Sequence, residues 1–207
     1  MKQLIYLFIF GLFFTACQGD SQQKTATTTP KPAVKKIPIP RFDRELAYNF
    51  VAKQVEFGPR VPNTEAHTAT KNWLVSQLKE HGATVIEQDF KATAYTGTVF
   101  NSTNIIGQYN PDAKKRIVLA AHWDSRFIAD NDPDAANHTV QVDGADDGAS
   151  GVGVLLEVAR NLSTLPANMG VDIVFFDAED NGISGGTKPE DSYTWALGSQ
   201  YLSLIHI

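Results

Sequence analysis

The chain has 207 residues, 43% of them apolar and 20% charged, with a formal net charge of -5 and a single cysteine. That is enough to bury one sizeable core. It excludes the basic stripe of a nucleic-acid binder, an intrachain disulfide and any multi-cysteine metal site.

Met1-Lys2 gives a short positive start, Leu4 to Phe14 is an almost unbroken apolar run, and Thr15-Ala16-Cys17 closes it with small residues. This is the pattern of a secretory signal, and the run is too short to span a bilayer. The stretch Phe14-Thr15-Ala16-Cys17 resembles a bacterial lipobox. That resemblance implies a signal peptide over 1–16, lipidation at Cys17, and a lipoprotein of the bacterial cell envelope, periplasmic or on the outer membrane, held by its N-terminal lipid. The alternative is an ordinary thiol in a cleaved leader. Residues 17–40 are rich in Gln, Thr, Lys and Pro and poor in large apolar groups, so they cannot offset their ordering entropy and form an expected flexible tether. The folded domain is expected over 41–207.

Two helices come next. Asp43 is placed as an N-cap ahead of Ala47, Phe50, Val51 and Val55; Thr64 is placed likewise ahead of Ala69, Trp73, Leu74 and Leu78, with Gly82 as the stop. Strands are expected at Thr84 to Phe90, Thr103 to Tyr109, Arg116 to Ala121 and Val171 to Phe176. The last two are nearly all apolar, as strands buried on both faces should be. Between them, Ala149 to Leu162 carries Val152, Leu155, Leu156 and Ala159 on one helical face. Strand, helix, strand is a crossover unit with a parallel pair, and the chain reads as an α/β sandwich.

The apolar runs end on chemistry. Arg116 to Ala121 runs into His122-Trp-Asp124, a loop leads into Gly144-Ala-Asp-Asp147, and Val171 to Phe176 runs into Asp177-Ala-Glu179-Asp180. Open α/β sheets keep their sites at such strand ends, where loops line a crevice. Several carboxylates converging there repel one another unless a cation or shared protons compensate, and a metal is the simplest resolution. Asp147, just before the helix start, is expected to rest on backbone N–H groups; plain capping by Asp146 or Asp147 is the alternative. Carboxylates alone suit magnesium or manganese as well as zinc.

The motifs His122-Trp-Asp-Ser125, Gly144-Ala-Asp-Asp-Gly-Ala-Ser-Gly151 and Phe175-Phe-Asp-Ala-Glu-Asp180 resemble those of the zinc-dependent aminopeptidase-like superfamily. Within it the chain is more similar to the glutaminyl cyclases, from about Asp43 to Gln200, including Ser102-Thr-Asn-Ile-Ile-Gly107 and Trp195-Ala-Leu-Gly-Ser-Gln200. The resemblance implies a three-layer sandwich with a mostly parallel central sheet, of zinc-exopeptidase type and partial. It implies Asp147 and Asp180 as metal ligands and Glu179 as the catalytic acid and base. His122 matches a histidine that binds a second zinc in the aminopeptidases but is no ligand in the single-zinc cyclases, with Asp124 beside it as an orienting group. The implied substrate is a peptide or protein with N-terminal glutamine; a zinc aminopeptidase with two ions and an inactive binding ectodomain are the alternatives. Relatives also carry a histidine ligand and catalytic aspartates further downstream, so the sequence reads as a C-terminally truncated piece, and His206 has no motif around it.

One acidic stretch is set apart. Asp130-Asn-Asp132-Pro-Asp134 begins like a calcium loop, but Ala135 and Gln141 stand where glycine and glutamate are needed. It is expected as a solvated loop at the cleft rim, helping to attract an N-terminal ammonium.

Overall fold

The computed structural model describes residues 39–162 and 169–206. The leader, Cys17 and all of the tether but Ile39 and Pro40 lie outside the described residues. Among the described residues no helix is long and apolar enough to cross a membrane.

Both expected caps form. Asp43 accepts the N–H groups of Glu45 and Leu46 at 3.0 and 3.1 Å and opens α1, Arg44–Glu56. Thr64 accepts the His67 N–H at 3.2 Å and opens α2, Glu65–Glu80. Gly82, at φ +88, turns the chain out of α2 into the sheet.

Among the described residues the sheet has four strands: β1 (Thr84–Thr93), β2 (Val99–Tyr109), β3 (Lys115–His122) and β4 (Met169–Phe176), in the spatial order β1-β2-β4-β3. β1 and β2 are longer than their apolar stretches suggest. Their extra residues, Lys91 to Thr93 and Val99 to Ser102, mix polar and apolar side chains; Lys91 to Thr93 pair with Val99 to Asn101 across the hairpin, a pairing that leaves little trace in the hydrophobic pattern.

The expectation of a mostly parallel sheet is corrected. β1 with β2 and β2 with β4 are antiparallel, and β3 with β4 is the parallel pair, in register from Lys115 opposite Met169 to His122 opposite Phe176. The cause is loop length: the short turn 94–98 permits only an antiparallel return, whereas α3 (Ala149–Asn161) between β3 and β4 makes the crossover a parallel pair needs.

Three layers do form. Ile105 and Tyr109 of β2 and Val171, Ile173 and Phe175 of β4 pack under Phe50, Leu74, Leu78, Val152, Leu156 and Ala159 of the first three helices. Side chains alternate along β2, so Asn104 points to the opposite face. There it donates to the Gly198 carbonyl of α4 (Leu197–His206) at 2.9 Å, while Tyr201 of α4 stacks on Phe90 at 4.7 Å.

Away from the strand ends that hold the motifs, buried acids are paired with cations. Glu157 on α3 is fully buried, accepts the Asp43 N–H at 2.8 Å and takes Arg160 at 2.7 Å, which fastens α3 to the start of α1. At the opposite end of β4, Asp172 takes Arg116 in a two-pronged pair at 2.8 and 2.6 Å.

Candidate active site

The carboxyl ends of β3 and β4 and the amino end of α3 meet at one edge of the sheet, and the three motifs meet with them. Asp124 is the hub. It is fully buried and accepts the backbone N–H groups of Glu179 and Asp180 at 3.1 and 3.2 Å and the Asn181 side-chain amide at 2.9 Å. A carboxylate there fixes the path of the acidic turn. Ala178, left-handed at φ 51, lets the chain reverse so that consecutive N–H groups face Asp124.

His122 sits above that hub. Its Nδ1 lies 3.4 Å from Asp124, its Nε2 2.6 Å from Asp147 and its Nδ1 again 3.8 Å from Glu179. Burial works against charge on this ring, but the Asp124 hydrogen bond and charge, aided by Glu179 and Asp147, lift its pKa to about 9. The expected seat of Asp147 on the N–H groups of α3 is corrected. Gly148 occupies the cap without a side-chain bond, and the Asp147 carboxylate, 71% exposed, turns to His122 instead. Close approach is the reason: a Cβ on Gly148 would fall inside 3.0 Å of the His122 ring and carbonyl, so the backbone is pressed against the histidine and Asp147 is carried over it.

Glu179 lies 3.8 Å from the His122 ring and Asp180 4.0 Å from Arg126, and both acids are held above the usual carboxylate range. For Glu179, burial is the main cause, with the charges of Asp124 and Asp147 adding to it and His122 opposing. For Asp180, burial comes first and the Asp147 and Asp124 charges next, and together they push it up to about 7 despite His122 and Arg126. The negative charges of Asp147 and Asp124 thus both oppose ionisation of Asp180. Among the described residues no cluster of three His, Cys, Asp or Glu is spaced to hold a metal ion. Asp147 and Asp180, the two acids expected as ligands, offer oxygen donors of a kind that zinc, magnesium and manganese all accept.

Several residues to which the sequence analysis gave no role build the floor. Asp177 is fully buried, accepts Thr103 and Ala178 N–H groups at 2.7 Å each and lies 2.9 Å from the His67 ring, which stacks on Trp123 at 4.3 Å. Arg60, also fully buried, donates to the carbonyls of Trp123, Asp143 and Gly144 at 2.9, 2.7 and 2.7 Å, bracing two motif loops at once. Asn181 accepts the Phe127 N–H at 3.1 Å while donating to Asp124. The Trp195 segment returns onto the acidic turn, the N–H groups of Ala196 and Leu197 donating to Glu179 and Ala178 carbonyls at 2.9 and 3.0 Å.

The acidic loop is exposed over most of residues 131–137, as a solvated loop should be, but it is anchored at its start. Asp130 is gripped by Arg126 at 2.6 and 2.5 Å, and Asp134 caps a single 3-10 turn over Ala135–Asn137. Arg126 stands directly after the His122-Trp-Asp-Ser125 motif, which was the available signal; Arg60 had none.

An α/β sheet that presents acids at its parallel strand ends over such a turn defines a zinc-exopeptidase-like fold. Residues 104–203 match the model of Peptidase family M28. Among solved structures, a leucine aminopeptidase precursor from Bacteroides thetaiotaomicron is 48% identical with a TM-score of 0.77, over 81% of this chain and 58% of that one. A Bacteroides thetaiotaomicron glutaminyl cyclase bound to N-acetylhistamine is 49% identical with a TM-score of 0.76, over 80% of this chain and 57% of that one. Of curated relatives, the glutaminyl-peptide cyclotransferase of Gloydius blomhoffii is 32% identical over 58% of this chain and 35% of its own length. The chain spans about half, or less, of the length of the relatives it matches.

Proposed function

We propose that the protein is a zinc-dependent glutaminyl-peptide cyclotransferase, converting N-terminal glutamine of peptides or proteins to pyroglutamate with release of ammonia. The observation that carries this reading is Glu179. It is a carboxyl group pushed upward by burial, beside Asp147 and Asp180, in a chain 49% identical to a bacterial glutaminyl cyclase.

Asp147 and Asp180 would hold the ion, with the third ligand implied downstream. When bound, zinc supplies Lewis acidity to the γ-carboxamide oxygen of the substrate glutamine. Glu179 takes a proton from the α-amine as its nitrogen attacks the carboxamide carbon, and gives a proton to the departing nitrogen as that C–N bond breaks and ammonia leaves. A group passing protons both ways works best with its pKa drawn toward the operating pH, the direction in which burial moves Glu179. Ring closure is intramolecular and needs chiefly orientation.

His122 Nε2 lies 2.6 Å from Asp147, and in the one-ion reading it would act as a hydrogen-bond partner of that ligand. The 48% identity to a leucine aminopeptidase precursor supports the second reading, a zinc aminopeptidase in which Glu179 activates water and His122 meets a second ion. Anchoring to the bacterial envelope through a lipid on Cys17 is part of the same proposal.

Incubating full-length protein with a Gln-initiated peptide tests it. Ammonia release without shortening of the peptide is expected. A released amino acid would favour the peptidase, and a metal-free protein with intact ligands and no turnover would favour a binding ectodomain.

A further inference from the structure

Arg126 joins more of the site than any role given to it so far. Its guanidinium is nearly buried and all its nitrogens are engaged: Nε and Nη2 on Asp130 at 2.6 and 2.5 Å, Nη1 on the Asp180 carbonyl at 3.0 Å, Nη2 again on the Gly182 carbonyl at 3.1 Å. Nη1 also lies 4.0 Å from the Asp180 carboxylate, and the Trp195 ring covers the group at 4.9 Å. The backbone carbonyl of Arg126 accepts the Val142 N–H at 3.1 Å, so the same residue fixes the return of the rim loop.

A planar fork that binds two carbonyls on either side of Asn181 sets where the Asp180 backbone sits; an ammonium could not reach both and Asp130 together. A bare cation at that distance would, however, compete with a metal for Asp180. The bidentate Asp130 cancels the charge while leaving the N–H groups in place. We infer that Arg126 is a positioning residue for Asp180, and that Asp130 neutralises it so that the grip on the turn does not weaken cation binding. The inference rests on Asp180 being a metal ligand.

Zn2+ affinity of the full-length protein, measured by chelator competition, separates this from a purely structural role. Arg126→Lys should weaken Zn2+ binding by roughly 10- to 100-fold, the range for groups that orient metal ligands. Asp130→Asn, which keeps the shape of the loop and exposes Asp180 to an uncompensated cation, should weaken it by about 10-fold. Amide hydrogen exchange with chelator present supplies a metal-free readout: residues 179–182 should exchange faster in Arg126→Lys, with α1 and α2 unchanged. Unaltered Zn2+ affinity in both variants, or unaltered exchange across the turn, would overturn the inference. If the wild-type protein takes up no Zn2+, the metal reading of Asp180 fails and the exchange result alone decides whether Arg126 positions the turn.

Discussion

The two ends of β4 treat negative charge in opposite ways. At its amino end Asp172 is matched by Arg116, and on the neighbouring α3 the buried Glu157 is matched by Arg160. At its carboxyl end Asp124, Asp147 and Glu179 gather around one histidine, with Asp180 on the same turn, and the nearby arginines are spent on carbonyls and on Asp130. Charge that serves the fold is paired. Of the acids left unmatched, Asp124 is held by backbone N–H groups and Asp147 turns to His122, while burial raises Glu179 and Asp180, a cost to stability that a bound cation would relieve.

The contrast is broken most sharply at Glu179. Glu179→Gln should lower turnover by roughly 100- to 10,000-fold, followed as ammonia released from a Gln-initiated peptide, with the thermal midpoint unchanged. A drop in midpoint alongside would place Glu179 among the structural acids.

Asp124 is the group that both sides of the contrast share. Asp124→Ala strands three buried donors and should cost about 3 kcal/mol or more, measured by urea unfolding, with turnover lost as well. Asp172→Asn should cost only about 1 kcal/mol, because its pair is partly open to solvent, and should leave turnover untouched.

The smallest effect is in the pH dependence, where the two ends should differ in sign. Glu157 is held below its usual 4.5 chiefly by Arg160, so the unfolded chain binds the extra proton and this contribution is lost as pH falls below that value. Asp180 titrates near 7 in the fold against a usual 3.8, so the folded state binds the extra proton and metal-free stability declines as pH rises between them. Urea midpoints across pH should lose the acid limb in Glu157→Gln and the near-neutral decline in Asp180→Asn. Saturating Zn2+ should flatten the second alone.

Much of this was legible in the sequence. Helix caps at Asp43 and Thr64 and the β3-α3-β4 crossover follow from local side-chain chemistry and from a 3.6-residue repeat, both short-range signals. The convergence of His122, Asp124, Asp147, Glu179 and Asp180 followed from their place at strand ends. The turn end of the β1–β2 hairpin was hidden because its stabilisation lies in cross-strand pairs that no single stretch displays. The turn of Asp147 towards His122 was hidden too, because it depends on Gly148 pressing against a residue on another strand. Arg60 binds only carbonyls, and carbonyls carry no sequence signature.

That last arrangement bears on the order in which the molecule assembles. Arg60 stands between α1 and α2, yet its three acceptors lie 63, 83 and 84 residues further along the chain. Closing loops of that span is slow compared with forming helices or hairpins. The pairing of Ile105 with Phe175 in the sheet spans a comparable 70 residues, so the rim that Arg60 braces and the centre of the sheet must become rigid at a similar stage, after the local helices and the β1–β2 hairpin.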